Sequence, residues 1–434
     1  MASRIETGAT TPMTTTFEEG EILTADNQPL SVALRKALFR QKVRALLLIA
    51  PLLIFVVVTF IWPIFGMLWR SVDNSVVPET LPRTVAAMES WAPSGAGDTP
   101  PEAVYAAFVA DMQIAADERT HTVVGGRLNY ETPGIASKFR QLGREVGDWD
   151  LASDGPFKEK LIETDEAWGE LFIWDTINTY SGNYTVGYYA NSVDRQLTAD
   201  GISARDADEA IYLRLFWRTI FMSLVITVLC VLLGYPIAWL LSNTLDRYAN
   251  LLLILVLLPF WTSLLVRTSA WKVLLQDQGV INSALESLGI IDEPLPLMYN
   301  QFGTIVAMTH ILLPFMILPM YSVMKTIPRS YTQAAKSLGA TDITAFRRVY
   351  FPQSVPGIGA GAILVFILAI GYYITPEIVG GSTGIFISNR IAYNISSTLN
   401  WGLAAALGGL LLLIVMVLYW VYDKFVGIDN VKLG

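Results

Sequence analysis

The chain has 434 residues, of which 53% are hydrophobic and only 16% are charged, with a net charge of −8. Ordinary soluble proteins carry about 25% charged residues, so this composition indicates a membrane protein. One cysteine and two histidines exclude an intramolecular disulfide framework and leave little for a metal site. The acidic net charge provides no basic surface for nucleic acid. We therefore expect no bound metal and no nucleic-acid partner.

The N-terminal segments precede the first apolar stretch. Residues 1–30 are rich in Thr, Glu and Gly with few large apolar side chains, which predicts a disordered cytoplasmic tail. Residues 31–44 mix apolar side chains with five cations, which suits a basic helix in the headgroup layer before the chain turns into the membrane. A simple basic anchor of the first span explains the same pattern.

Six apolar windows predict membrane spans, since a helix needs about 20 such residues to cross the hydrocarbon. They cover residues 45–69, 219–241, 251–266 with an extension to 275, 303–324, 353–376 and 401–422. Apart from the extension, none contains Lys, Arg, Asp or Glu. We expect an all-α integral membrane protein with a first transmembrane helix over 45–70 and five further spans over 213–434.

The long segment 71–212 separates the first two spans. Cations concentrate before the first span and between the fourth and fifth, so we expect both termini in the cytoplasm and 71–212 on the outer, periplasmic side. Its length and its four tryptophans predict a folded, α-rich mixed domain. We expect its start, 77–101, to be loop, and 178–189, where tyrosines alternate with small residues, to form a β-hairpin.

The segment 326–352 between the fourth and fifth spans predicts two short helices. Pro328 and Ser330 open the first, which runs through Leu338, and Gly339 is placed to cap its C-terminus. Thr341 or Asp342 then caps a second helix that Pro352 ends before the fifth span. An ordinary cytoplasmic loop and a docking element both fit this pattern.

Sequence motifs in this region carry a resemblance to a known family. Gln333-Ala334-Ala335, Gly339, Phe346 and Phe351-Pro352 resemble the Glu-Ala-Ala loop of permease subunits of type I ATP-binding cassette (ABC) importers, with Gln333 in place of the usual Glu. The runs at 233–238, 258–268 and 371–381 look like the spermidine/putrescine permease branch. The resemblance covers the first span and everything from Leu213 onward, whereas the external insert departs from compact members of that branch.

The resemblance implies a fold, partners and a mechanism. It implies the type I importer permease fold, two separate ATP-binding subunits that hold ATP and Mg²⁺, a second permease subunit that is a different homologue, a periplasmic solute-binding protein and a bacterial inner membrane location. The family's coupling loop maps onto these residues: Gln333, Ala334, Ala335, Leu338, Gly339, Ala340, Thr341 and Asp342. The chain lacks a phosphate-binding loop of its own, so we expect no catalytic residue and no cofactor bound by this chain.

Candidate residues of the solute path lie near the outer ends of the spans. If the solute is a polyamine, aromatic faces and a few acceptors suit its ammonium groups, and Trp261, Tyr372, Tyr373 and Glu377 fit this description. An interfacial aromatic belt is the alternative. Arg267 suits an anionic or zwitterionic solute instead, although it can also snorkel or pair with Asp277.

Other functions remain open at this stage. Within the family, the solute could be an opine or amino-acid derivative, a sugar or a metal chelate. A stand-alone channel or secondary transporter would more often show intramembrane ionisable residues, and the central spans offer only His310, which we interpret as a hydrogen-bonded packing residue. A membrane-anchored sensor with an external ligand-binding domain is a further alternative.

Overall fold

The computed structural model describes residues 30–91 and 99–426. The tail predicted over residues 1–30 lies outside this range except for its last residue. The described chain is almost entirely helical, with one small two-stranded sheet, and divides after Gly66 into two compact units.

The first helical stretch contains the first predicted span. It consists of α1 (Leu30–Val56), a π-helical turn (Val57–Ile61) and α2 (Trp62–Arg70). Its apolar part, Gln41–Arg70, is 30 residues long and sufficient to cross a bilayer. The turn expected after residue 44 is absent, because no Gly or Pro lies between Ser31 and Ala50 to interrupt the hydrogen-bond ladder.

The segment that follows α2 folds into short helices and a hairpin. In the described residues the helices are α3 (Val76–Thr80), α4 (Pro82–Ser90), α5 (Glu102–Asp117), α6 (His121–Asn129), α7 (Ile135–Glu145), α8 (Phe157–Thr164), α9 (Leu171–Thr179) and α10 (Gly187–Ser192). Two 3₁₀ turns cover Val146–Asp148 and Glu166–Gly169. Strands β1 (Arg195–Thr198) and β2 (Gly201–Ala204) pair antiparallel.

Two local predictions for this segment are wrong. Much of the stretch 77–101 that we expected to be loop forms α3 and α4, and Pro82 occupies the first turn of α4, where its missing N–H leaves no bond unmade. The hairpin lies at β1 and β2 rather than at 178–189. Its two-residue connection ends at Gly201, which has a φ of +114° that glycine adopts without strain.

An aromatic core holds the inserted segment together. Trp168 and Trp174 are fully buried, with ring centroids 6.0 Å apart, and Phe108 packs on both at 5.0 and 5.3 Å. The Nε1 of Trp174 donates to the carbonyl of Trp168 over 3.0 Å. Each buried aromatic ring removes a large apolar area from water, so this cluster is the main source of stability for the segment.

Two of the tyrosines that suggested a hairpin instead pack on a buried arginine. The guanidinium of Arg127 lies 4.8 Å from the ring of Tyr180 and 4.3 Å from that of Tyr188. Its Nε donates to Asn74 over 2.9 Å and its Nη1 to Glu131 over 2.8 Å. A buried cation needs such partners to offset its desolvation. Burial also raises the pKa of Tyr188 to about 12, so this phenol stays neutral.

Three long helices form the centre of the second unit. The three are α11 (Tyr212–Asn243), α15 (Gln301–Thr326) and α18 (Phe351–Gly371). The last span, α22 (Trp401–Val426), is a fourth long helix. Glycines let α18 approach α15 closely. A Cβ on Gly357 would lie 2.9 Å from Val323 Cβ, and one on Gly361 would lie 2.7 Å from Met316 Sδ. Small residues at such contacts are typical of packed membrane helices.

The third predicted span is broken. Its parts are α12 (Asp246–Leu257), a 3₁₀ turn (Leu258–Trp261) and α13 (Leu264–Leu275), and α14 (Val280–Ser287) follows. The two halves bend by 92° across the break. Pro259 is the second residue of the 3₁₀ turn, and the Ser263 hydroxyl caps α13 by accepting from Val266 N over 3.2 Å. Five continuous helices are long enough to span, so the sixth span requires the bent pair.

The remaining short helices flank α18. They are α16 (Arg329–Ser337), α17 (Asp342–Ala345), α19 (Ile374–Val379), α20 (Gly381–Gly384) and α21 (Ile387–Ser396). Pro352 does not end the second loop helix as predicted. A π-helical turn, Phe346–Tyr350, carries α17 directly into α18, and Pro352 falls in the first turn of α18. At the other end, the predicted fifth span stops at Gly371, and Pro376 lies in α19.

The inserted segment is attached to the ends of two long helices. The carboxylate of Asp194 accepts from the backbone N–H groups of Tyr212 and Leu213, each over 2.8 Å, and so caps α11. The Tyr130 hydroxyl donates to the carbonyl of Thr398 over 2.9 Å, just before α22. Because these bonds involve buried or half-buried groups, they hold the segment against the bundle.

Asp194→Ala should destabilise this attachment. Asp194 has a φ of +57°, which Asn tolerates and Ala does not, and its carboxylate satisfies two N–H groups at the start of α11. We expect the free energy of unfolding to fall by about 1–2 kcal/mol, as for loss of a helix cap. Thermal unfolding of the purified protein measures this, with Asp194→Asn as the control expected to lose less. Equal stability of Asp194→Ala and the wild type would contradict the capping role.

Candidate functional site: coupling loop and solute path

The predicted coupling helix is α16, and Gly339 ends it as the sequence predicts. Gly339 has a φ of +90°, in the left-handed region that favours glycine. Its N–H donates to Lys336 over 2.9 Å, and the next N–H, of Ala340, donates to Ala335 over 3.0 Å. These two bonds satisfy carbonyl groups that the last helical turn would otherwise leave free.

The loop presents an exposed surface that includes apolar side chains. No residue of α16 is buried, and Gln333 and Ala334 are exposed. Leu338 is 90% exposed and Ile343 is 78% exposed. Apolar side chains that protrude together from a polar loop are typical of a surface that another protein covers.

The second part of the loop turns back to the bundle. The Thr341 hydroxyl caps α17 by accepting from Thr344 N over 3.3 Å. Asp342 forms an ion pair with Lys336, which joins α17 to α16. Thr341 is therefore the capping residue of the two that the sequence offered.

An aromatic group connects the loop to the long helices. The ring of Tyr235, on α11, lies 6.1 Å from that of Phe346 and 5.9 Å from that of Phe351. The Tyr235 hydroxyl hydrogen-bonds to Ser354 over 3.0 Å. Arg329, at the start of α16, donates to the carbonyl of Asn243 at the end of α11 over 2.8 Å. The two phenylalanines of the loop motif thus pack on the same side chain of α11.

Of the candidate path residues, Tyr373 and Glu377 come together through a residue that we did not predict. Asn389 Nδ2 donates to the carbonyl of Tyr373 over 2.9 Å and to Glu377 Oε2 over 2.6 Å. The nearby Ser388 hydroxyl donates to the carbonyl of Tyr372 over 2.6 Å. Hydrogen bonds from α21 therefore stabilise the irregular backbone between α18 and α19.

Arg267 lies on α13, within electrostatic range of Tyr372 and His310. Its Nε is buried and finds no hydrogen-bond partner among the residues that the structure describes. The pairing with Asp277 does not occur, since no ion pair joins the two in the described part of the chain. Trp261, at the end of the 3₁₀ turn, is 77% exposed.

His310 forms a hydrogen bond, as its interpretation from the sequence required, but its side chain is exposed rather than packed. The indole Nε1 of Trp271 donates to His310 Nδ1 over 3.1 Å, so the imidazole proton is on Nε2. A second link between elements is the 3.0 Å hydrogen bond of the Thr268 and Thr375 hydroxyls, buried between α13 and α19. Sequence reasoning missed Trp271, Thr268 and Thr375, because a broken span gives no helical periodicity that would predict their facing directions.

Comparisons with known proteins identify the family. Residues 201–426 match the family described as the inner membrane component of binding-protein-dependent transport systems. The chain is 35% identical over 214 residues to a spermidine/putrescine transport system permease protein, PotB, of Haemophilus influenzae, covering 49% of this chain and 75% of the relative. It is 31% identical over 274 residues to PotB of Salmonella typhimurium, covering 62% and 95%.

One solved structure is also similar. It is the crystal structure of a bacterial alginate ABC transporter in complex with an alginate pentasaccharide-bound periplasmic protein, with a TM-score of 0.41, 19% identity, and coverage of 51% of this chain and 80% of that chain. The family match covers about half of the chain and includes the coupling loop and all path candidates. The chain therefore belongs to the family of inner membrane components of binding-protein-dependent transport systems.

Proposed function

We propose that this chain is one permease subunit of an ATP-driven importer for polyamines such as spermidine and putrescine. The observation that carries this proposal is its relation to the Salmonella typhimurium spermidine/putrescine permease, of which 95% is matched at 31% identity. As a member of this family, the chain is a multi-pass inner membrane transport subunit without an ATPase site of its own. Two partner ATP-binding subunits would supply ATP hydrolysis with Mg²⁺.

The proposed orientation follows the distribution of charge. The coupling loop, with Lys325, Arg329 and Lys336, lies in the cytoplasm, as do both termini. The segment 71–212 then lies in the periplasm, where a solute-binding protein would deliver the solute. A second permease subunit, a homologue of this chain, would complete the path.

The coupling loop would transmit closure of the ATP-binding subunits to the spans. The exposed residues Leu338 and Ile343 would seat on the ATP-binding subunit, and Gly339 would set the angle between α16 and α17. Because α17 continues through the π turn into α18, a displacement of the loop acts directly on that span. The contacts of Phe346 with Tyr235 couple the same displacement to α11. Two bundle conformations close in free energy would allow nucleotide to shift the balance between them.

The path would use the polar group at the break between α18 and α19. Glu377 is exposed and offers a carboxylate that Asn389 orients, and Tyr373 is 47% exposed beside it. A carboxylate and an aromatic ring form a suitable pair for a primary ammonium group. Few charges of this kind are needed, since many buried carboxylates would hold a dication too tightly for release.

Arg267 favours a second candidate within the same family. Among the described residues its buried Nε has no hydrogen-bond partner, and a guanidinium N–H without an acceptor suits a carboxylate. A zwitterionic solute such as an opine or an amino-acid derivative would place its carboxylate at Arg267 and its ammonium at Glu377. The two candidates differ in which of these charged side chains transport requires.

Co-expression with an ATP-binding subunit encoded beside this chain tests the proposed function. We expect the full chain to co-purify with that ATPase. In liposomes, ATP hydrolysis by the complex should rise when the cognate binding protein carries spermidine or putrescine. Transport by the chain alone without ATP would contradict the proposal and indicate a stand-alone channel or secondary transporter.

Gly339→Pro should uncouple transport. Proline cannot adopt a φ of +90° and cannot donate to the Lys336 carbonyl, so the turn after α16 would be lost at a free-energy cost of about 2–3 kcal/mol. We expect uptake to fall at least about tenfold, as measured with the reconstituted complex. Gly339→Asn is the matched control, because Asn tolerates this conformation, and it should retain most activity. Normal uptake by Gly339→Pro would refute the assignment of the coupling loop.

Neutralising the two path charges separates the solute candidates. Glu377→Gln keeps an acceptor for Asn389 but removes the charge, and for a polyamine we expect uptake at low concentration to fall about tenfold, the effect of one charged hydrogen bond. Arg267→Gln should leave polyamine uptake undiminished. Loss of transport in Arg267→Gln with full activity in Glu377→Gln would favour an anionic or zwitterionic solute.

A further inference from the structure

A cavity of about 560 Å³ lies where α11 and α15 end, beside the coupling helix. Its wall combines the last turns of those two helices with α16 and the π turn before α18. The cavity is therefore bounded on one side by span ends and on the other by the loop that carries the coupling motif.

The lining residues include both apolar and cationic side chains. Trp239 and Met324 come from the span ends, and Trp239 is 42% exposed on the surface of α11. The cations are Lys325, Arg329 and Lys336. Asp342 is the single carboxylate among the lining residues, so these three cations and one carboxylate leave a net charge of +2.

The cations are available to a ligand. Lys325 contacts Asp246 over 2.5 Å, but the Asp246 side chain is 81% exposed and that of Asp342, the partner of Lys336, is 83% exposed. Ion pairs this open to water contribute little, because solvent screens them, and a more highly charged anion can displace the carboxylate. Arg329 donates from Nη2 to the carbonyl of Asn243, and the guanidinium has further N–H groups.

We infer that this cavity binds the headgroup of an anionic phospholipid from the cytoplasmic leaflet. The phosphate would lie between the three cations, and the glycerol and upper acyl chains would lie against Trp239. A free phosphate ion shares the first interaction but has no use for the apolar wall, so the lining favours the lipid. Basic pockets between span ends on the cytoplasmic side suit such headgroups.

The inference rests on the proposed function for its orientation, and it deepens the role of the coupling loop. Arg329 and Lys336 belong to α16, whereas Lys325 belongs to α15. A phosphate held by all three would fix α16 against the bundle. Binding of the phospholipid would therefore determine how closely the coupling helix moves with the spans. Transport would then depend on the anionic lipid content of the membrane.

Lipid binding to the purified full chain tests this site. Native mass spectrometry would compare phosphatidylglycerol with phosphatidylcholine of the same acyl chains. We expect the wild type to prefer phosphatidylglycerol and Arg329→Gln/Lys336→Gln to bind it about 25-fold more weakly, the effect of two cations near an anionic headgroup. Lys325→Gln, on a different helix, should weaken binding about fivefold and tests the site should the double variant misfold.

Arg347→Gln/Arg348→Gln is the matched control. It removes the same charge from two exposed side chains of the π turn that do not line the cavity, and it should leave the preference unchanged. Equal loss in the control, equal wild-type affinity for both lipids, or displacement of phosphatidylglycerol by excess inorganic phosphate would overturn the inference. Because the measurement needs neither ATPase nor solute, a failure of the proposed function would show separately, as a missing ATPase in the co-purification.

Discussion

The close packing of α18 on α15 is the contact on which the rest of the second unit depends. Gly357 and Gly361 leave no room for a Cβ, so the two helices meet backbone to side chain along Met316 and Val323. In a membrane, packing of this kind replaces the hydrophobic effect as the force that associates helices. Since α18 also continues into the coupling loop, the same contact determines where the loop stands relative to the bundle.

The breaks in the helices are subject to a different constraint, because every backbone polar group away from water needs a hydrogen-bond partner. The chain leaves helical geometry at the turn between α12 and α13 and again after Gly371. At the second break, Ser388 and Asn389 of α21 donate to the carbonyl groups of Tyr372 and Tyr373. The side chains that meet this constraint therefore also form the polar group proposed for the solute, which explains why irregular backbone and candidate path residues coincide.

Much of the coupling loop could be predicted from the sequence because its determinants are local. A glycine after a short helix and a threonine before the next one specify caps within a few residues, and Gly339 and Thr341 act as predicted. The continuation of α17 into α18 could not be predicted in this way. Pro352 reads as a helix end, and only the π turn before it allows the helix to continue.

Features that depend on distant parts of the chain could not be predicted from the sequence, for a related reason. Hydropathy records how apolar a window is but not its direction, so the 92° bend of the third span leaves no trace in it. The tyrosines over 178–189 follow a strand-like alternation, yet two of them, Tyr180 and Tyr188, pack on Arg127. The position of Arg127 depends on the whole inserted segment. A sequence pattern readily shows that an apolar span contains no cation. It does not show which cation of a folded domain will be buried.

The inserted segment is joined to the bundle at points that matter for any motion of the spans. Asp194 caps the first turn of α11, and Tyr130 bonds just before α22. A Cβ on Gly402 would lie 2.3 Å from the ring of Tyr188, which itself stacks on Arg127. Contacts this close cannot slide, since packed side chains resist small displacements. Movement of the N-terminal ends of α11 and α22 would therefore carry the inserted segment with them, and a protein bound to that segment would act on the same two helices.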